Sequence, residues 1–143
     1  MREAATITGG NVCSPAGFLA AGVAAGLKRS GRPDMALILS EKPCTAAGAF
    51  TQCRFAAAPV LLCRSALRKS VPARAVVINS GNANACTGAK GLKAAEEMAS
   101  FTAKSLGISA AEVFVCSTGR IGVQLPMDKI RGGIAMAAKA LSS

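Results

Sequence analysis

The feature that most constrains the fold is a run of small or amide-bearing residues at positions 79–88, Asn-Ser-Gly-Asn-Ala-Asn-Ala-Cys-Thr-Gly. It follows the apolar, β-branched run 75–78, which predicts a buried strand. It precedes residues 92–106, where apolar residues recur at helical spacing. A backbone with so few bulky side chains can bend sharply and approach a ligand closely. The sequence therefore predicts a strand, a tight loop and a helix in succession.

The polar side chains of this loop have two possible uses. Short amide and hydroxyl groups can hold the loop by hydrogen bonds to nearby backbone, as in an ordinary structural turn. The same groups can instead contact a polar substrate. Both interpretations stay open from the residues alone, and the candidates are Asn79, Asn82, Asn84 and Thr87.

The same order of elements recurs further along the chain. Residues 113–116 predict another strand, the loop 117–122 follows, and apolar spacing predicts a helix over 126–141. Two strand–loop–helix units in succession favour a layered α/β fold, with helices packed on a mixed, partly parallel sheet. Right-handed crossovers would place both loops at the carboxyl edge of the sheet, where ligands collect in such folds.

The remaining strands are expected at 36–40, 48–50 and 59–63. A chain of 143 residues has the length of a single domain with one core. No internal repeat or linker divides it, so residues 1–143 are interpreted as one α/β domain.

The catalytic classes open to this chain are limited by its lack of histidine. Ser-His-Asp and Cys-His catalysis are excluded within it, and a zinc site is disfavoured because no Cys-x-x-Cys pair occurs either. Neither loop contains a carboxylate. Cys86 and Cys116 lie beside the loops, but a cysteine nucleophile needs a base or a lowered pKa. We therefore expect the loops to act through backbone amides, hydroxyls and carboxamides, with no metal and no cofactor.

The formal net charge is +10, yet aromatic residues make up only 3% of the chain, so surfaces for base stacking are nearly absent. The charge instead favours a solvated basic face or the attraction of small anionic substrates. The longest apolar runs are far shorter than the ~20 residues of a membrane span, and no export signal is evident. A cytoplasmic protein without nucleic-acid or membrane partners is expected.

Five sequence blocks resemble, in order, those of the ornithine acetyltransferase family, the ArgJ-type glutamate N-acetyltransferases. Together the blocks extend over nearly the whole chain, which makes the resemblance far more specific than a lone glycine-rich match. It implies the layered α/β fold that this family shares with related self-cleaving aminopeptidases. The blocks lie at 14–28, 45–51, 57–60, 79–88 and 117–130.

The resemblance implies transfer of acetyl from N-acetylornithine to glutamate in arginine biosynthesis, with acetyl-CoA as a further donor in some members. The family's nucleophile is a threonine freed by self-cleavage, whose new amino group acts as the base. Thr118 and Gly119 match the Thr-Gly pair that forms the family's oxyanion hole.

The same resemblance implies a particular place for this chain in the family's enzyme. Because residues 1–143 contain no Met-Ala-Thr cleavage motif, we expect the N-terminal part of the α chain, with the nucleophile outside it. The expected partner is the β chain of the same precursor, in a heterotetramer of two α and two β chains.

Two alternatives stay open beside the acetyltransferase. A noncatalytic α/β module would hold phosphate or carboxylate through the backbone amides of its glycine loops. A fragment of a related self-cleaving aminopeptidase would share the threonine chemistry. The joint presence and order of the five blocks favours the acetyltransferase.

Overall fold

The structure is a computed structural model that describes residues 6–69 and 71–143. Within these residues four strands form one sheet in the order β1-β2-β3-β4. Three helices and a short 3₁₀ turn, Ala110–Glu112, complete the fold. The strands are β1 (Phe18–Val23), β2 (Met35–Cys44), β3 (Ala73–Asn82) and β4 (Val113–Arg120), and the helices are α1 (Ala58–Arg68), α2 (Gly88–Leu106) and α3 (Met127–Lys139).

The sheet combines antiparallel and parallel pairing. β1 pairs with β2 and β2 with β3 antiparallel, whereas β3 and β4 run parallel and are joined through α2. The parallel register places Val77 beside Val115 and Asn79 beside Ser117. The expected mixed, partly parallel sheet is therefore confirmed, as are the strands at 36–40, 75–78 and 113–116.

The hydrophobic core lies between one face of this sheet and the helices. Alternate strand residues point into it because side chains along a strand alternate between the two faces. Fully burying one such aliphatic side chain stabilises the fold by about 1.5–3 kcal/mol. Among the described residues, no helix is both long and apolar enough to cross a membrane. The largest fully buried apolar side chains are Leu37, Val77, Met98, Val115, Ile130 and Ile134.

Two of the expected strands are wrong. Residues 59–63 lie inside α1, where Pro59 occupies the first turn and needs no N–H donor. The buried positions Pro59 and Cys63 are four residues apart, which is the spacing of a helix face. Periodicity alone does not show whether so short an apolar run is a strand or part of a helix. Residues 48–50 form no regular element and pair with no strand in the described part of the chain.

One strand was missed, and the two loops are shorter than expected. β1 is rich in alanine and glycine, so it lacks the β-branched signal of a strand and depends on pairing with β2. Residues 79–82 continue β3, and residues 117–120 continue β4. Parallel pairing between the two strands extends through the first part of each loop.

Candidate functional site

The carboxyl ends of β3 and β4 lie side by side. In the parallel register Ser80 pairs with Thr118 and Gly81 with Gly119, and beyond this point the register is irregular. Thr118 and Gly119 are both exposed. The two loops therefore meet at one edge of the sheet, as the strand–loop–helix order predicts, and a ligand has access to that edge.

Gly81 and Gly119 lie against each other at this edge. A Cβ on Gly119 would lie 2.4 Å from the carbonyl carbon of Gly81 and 2.5 Å from the amide nitrogen of Asn82. Gly119 also has a φ of +130°, a region that L side chains rarely adopt. Position 119 therefore requires glycine for two reasons, the close contact with Gly81 and the positive φ angle. The result is an exposed Thr-Gly turn that packs directly against the neighbouring strand.

The asparagines in the last part of β3 are hydrogen-bonded within the protein. Asn79 is fully buried and donates from Nδ2 to the carbonyl of Asn82 at 2.8 Å. Asn82 in turn donates to the carbonyl of Val123 at 3.0 Å. Because Val123 follows the second loop, this bond ties the end of β3 to the chain beyond β4.

Asn84 occupies the centre of the loop and is fully buried with a φ of +47°. Its Nδ2 donates to the carbonyl of Gly91 at 2.8 Å, and its Oδ1 accepts from the Thr87 hydroxyl at 2.8 Å. The loop is thereby fixed to the first turn of α2. The geometry favours loop-holding for the four polar candidates, and their contact with a substrate stays a prediction.

Asp34 also organises this edge, although sequence reasoning missed it. The side chain is 3% exposed, and its carboxylate accepts hydrogen bonds from the amides of Ala25 at 2.6 Å, Leu27 at 2.6 Å and Lys28 at 2.8 Å. Burial acts to raise the pKa of Asp34, but these amide donors and the Lys28 charge outweigh it and hold the pKa below its usual range. The Asp34 carbonyl accepts from the Ser80 amide at 2.8 Å, which joins the turn at 25–28 to the end of β3.

Two of the cysteines near the site, Cys63 and Cys116, do not have the environment of a nucleophile. Burial raises the pKa of Cys63, and although Cys116 is an exposed residue, desolvation of its thiol raises that pKa as well. Cys63 exchanges two hydrogen bonds of 3.3 Å with the backbone of Val115, which positions α1 against β4. No group of three or more potential metal ligands occurs among the described residues.

Fold and site together define a layered α/β protein whose paired strand ends present an exposed Thr-Gly turn. The ArgJ family model matches residues 19–143, and the chain belongs to the ArgJ family. The arginine biosynthesis bifunctional protein ArgJ of Nitratidesulfovibrio vulgaris is 52% identical over 128 residues, covering 90% of this chain and 33% of that protein. The chain thus spans about a third of the length of the curated relatives that it matches.

Solved structures of the family have the same fold. The ornithine acetyltransferase of Mycobacterium tuberculosis, determined in complex with ornithine, is 47% identical with a TM-score of 0.87, over 90% of this chain and 69% of that one. The arginine biosynthesis bifunctional protein ArgJ of Bacillus halodurans is 39% identical with a TM-score of 0.87, over 90% of this chain and 67% of that one. The family resemblance read from the five sequence blocks is confirmed.

Proposed function

We propose that this chain forms the N-terminal part of a glutamate N-acetyltransferase that moves acetyl from N-acetylornithine to glutamate. The observation that carries the proposal is the exposed Thr-Gly turn, which packs closely against Gly81 in a member of the ArgJ family. The ornithine bound to the relative from Mycobacterium tuberculosis supports a substrate of this class.

In the proposed mechanism Thr118 and Gly119 stabilise the oxyanion. Acyl transfer passes through a tetrahedral intermediate, in which negative charge develops on the former carbonyl oxygen. Donors that are already held in place stabilise this charge without reorganising, and losing one donor costs about 2.7–4 kcal/mol. The role therefore demands donors that are held in place, and the close packing of Gly119 against Gly81 supports this.

The nucleophile and its base lie outside residues 1–143 in this proposal. The chain has no histidine, and burial or desolvation keeps the thiols of Cys63 and Cys116 protonated. Acyl transfer still needs a nucleophile and a base. A threonine released by self-cleavage supplies both, because its own amino group acts as the base. The proposed partner is the β chain of the same precursor, in an assembly of two α and two β chains. The proposal also includes acetyl-CoA as a further acetyl donor and a cytoplasmic location.

The test compares the full-length protein with isolated residues 1–143. Formation of N-acetylglutamate from N-acetylornithine and glutamate is followed by mass spectrometry, with hydrolysis of amino-acid p-nitroanilides as the aminopeptidase alternative. We expect transacetylation by the processed full-length protein and only the uncatalysed rate from residues 1–143. Peptidase activity alone would overturn the proposal, as would turnover by residues 1–143 that Cys86→Ser or Cys116→Ser abolishes.

A further inference from the structure

A basic depression lies beside the Gly81–Gly119 strand ends, and the oxyanion chemistry makes no use of it. Its volume is about 460 Å³. It brings together side chains from the turn after β1 and from the last residue of β4. The lining residues are Leu27, Lys28, Arg29, Ser30, Gly81 and Arg120.

The walls of the basic depression are held by the contacts that organise the strand ends. The Asp34 carboxylate accepts from the Leu27 and Lys28 amides at 2.6 and 2.8 Å, which fixes one wall. The Arg120 carbonyl accepts from the Ala83 amide at 2.9 Å, which fixes the other. A Cβ on Gly81 would lie 3.4 Å from Cγ of Lys28, which places this wall in van der Waals range of the strand end.

Three basic residues line the depression, Lys28, Arg29 and Arg120, and the Lys28 charge also acts on the buried Asp34 carboxylate, whose pKa it helps to lower. Among the described residues the salt bridges within 4.0 Å all belong to Arg131, on α3. Asp34 is the carboxylate nearest to Lys28 along the chain, but its oxygens face three backbone amides inside the protein. The Lys28 ammonium donates to the Pro33 carbonyl at 3.3 Å. Three basic residues around one concavity, without salt-bridge partners among the described residues, favour a positive local potential that attracts anions.

We propose that the basic depression binds the anionic group of a small-molecule substrate beside the acyl-transfer site. The group is an oxyanion, either the carboxylate of an amino-acid substrate or a phosphate of acetyl-CoA. Arginine and lysine recognise both through charge-assisted hydrogen bonds. The identity of the substrate rests on the proposed function, whereas the binding of an oxyanion rests on the geometry and charge of the depression alone.

The test measures the binding of two probes, L-glutamate and coenzyme A, to the full-length protein by isothermal titration calorimetry at low ionic strength. The variant is the double substitution Lys28→Gln and Arg120→Gln. The control is Lys104→Gln, an exposed lysine in the last turn of α2 that does not line the depression. Circular dichroism and thermal melting check that each variant folds. Should the Lys28 change unfold the protein, Arg29→Gln with Arg120→Gln replaces it, since both side chains are exposed.

We expect the double variant to weaken binding of one probe roughly tenfold or more, the loss of about one charge-assisted hydrogen bond. The control should stay within about twofold of the native protein. Weaker glutamate binding identifies a carboxylate site, and weaker coenzyme A binding identifies a phosphate site. Added salt should weaken the native interaction more than that of the double variant, because salt screens exposed charges.

The proposal is overturned if neither probe binds the native protein, or if the double variant binds both probes as the native protein does. In either case the basic depression is a solvated face. Failure of the proposed function is distinguishable from this. In that case the native protein lacks transacetylation activity, whether or not it binds either probe. With both proposals correct, the double variant raises KM for the identified substrate and leaves kcat nearly unchanged.

Discussion

Gly119 lies against Gly81 so closely that a Cβ on Gly119 would stand 2.4 Å from the Gly81 carbonyl carbon. Both residues have positive φ, +130° for Gly119 and +102° for Gly81. The contact joins the ends of two parallel strands that are 38 positions apart in sequence (119 minus 81). The contact fixes the Thr-Gly turn to β3. Its contribution to the free energy of unfolding can be measured by substituting Gly119.

Gly119→Ala should lower the free energy of unfolding by roughly 2–4 kcal/mol, combining overpacking with an unfavourable backbone angle. Gly122→Ala is the matched control, since Gly122 has a φ of +78° and nothing within 4 Å of a Cβ. It should lose only the backbone contribution of about 1–2 kcal/mol. Urea denaturation of both variants measures the difference. Equal losses would show that the contact with Gly81 has no energetic weight.

Two adjacent glycines of α3 should respond oppositely to alanine. A Cβ on Gly132 meets nothing within 4 Å, so Gly132→Ala should stabilise the protein by about 0.5–1 kcal/mol through helix propensity. A Cβ on Gly133 would lie 2.6 Å from the Ala25 Cβ and 2.8 Å from the Met35 Cγ. Gly133→Ala should therefore destabilise by roughly 1–3 kcal/mol. Shifts of the melting temperature in the same direction would refute the close packing of α3 on β2.

Asn84→Asp tests the loop network with almost no change in shape. The substitution removes the donor to the Gly91 carbonyl and places a carboxylate in a fully buried position, so we expect a loss of at least about 1–3 kcal/mol near neutral pH. The loss should shrink in acid, where the new carboxyl is protonated. Asn11→Asp is the control, because Asn11 is exposed and its side chain only accepts a hydrogen bond, from the Cys13 amide. Similar stability for the two variants at neutral pH would argue against a loop-holding role for Asn84.

Asp34 makes a pH-dependent contribution to stability. Because its pKa is lowered in the folded protein, its stabilisation is fully present above the unfolded value of about 3.9 and is lost as the pH falls through the folded pKa. Asp34→Asn keeps the shape but substitutes a donor for one of the accepting oxygens. The free-energy difference between native protein and variant should be constant above about pH 5 and should shrink below about pH 4. A difference that does not change between pH 7 and pH 3 would exclude the ionised carboxylate as its source.

Local sequence signals are sufficient to predict some of the helices and strands, and insufficient to predict others. The β-branched runs 75–78 and 113–116 predicted adjacent strands because their composition and the helix between them are local features. The run 59–63 was misassigned because a short apolar segment has no clear period, and only packing against β4 defines it as part of α1.

The site shows the same division between local and long-range information. The Thr-Gly turn was visible in the sequence, as was the edge of the sheet at which it lies. The Gly81–Gly119 contact and the role of Asp34 depend on residues brought together by tertiary structure, so no local pattern indicates them. The asparagines were recognised as candidates, but their burial and partners depend on the packing of α2 and the segment after β4.

In the proposed mechanism Thr118 and Gly119 stabilise the negative charge that develops on the oxygen of the tetrahedral intermediate. Steady-state kinetics of Thr118→Ala in the processed full-length protein test this role. Thr118→Ser serves as the control that keeps the hydroxyl, and melting temperatures matched to the native enzyme exclude a folding defect. We expect Thr118→Ala to lower kcat roughly 10²–10³-fold and to leave KM for N-acetylornithine nearly unchanged, because the hydroxyl that it removes acts as a donor mainly in the transition state. A kcat within about threefold of native together with a sharply raised KM would contradict it, and would make the pair a ground-state binding turn.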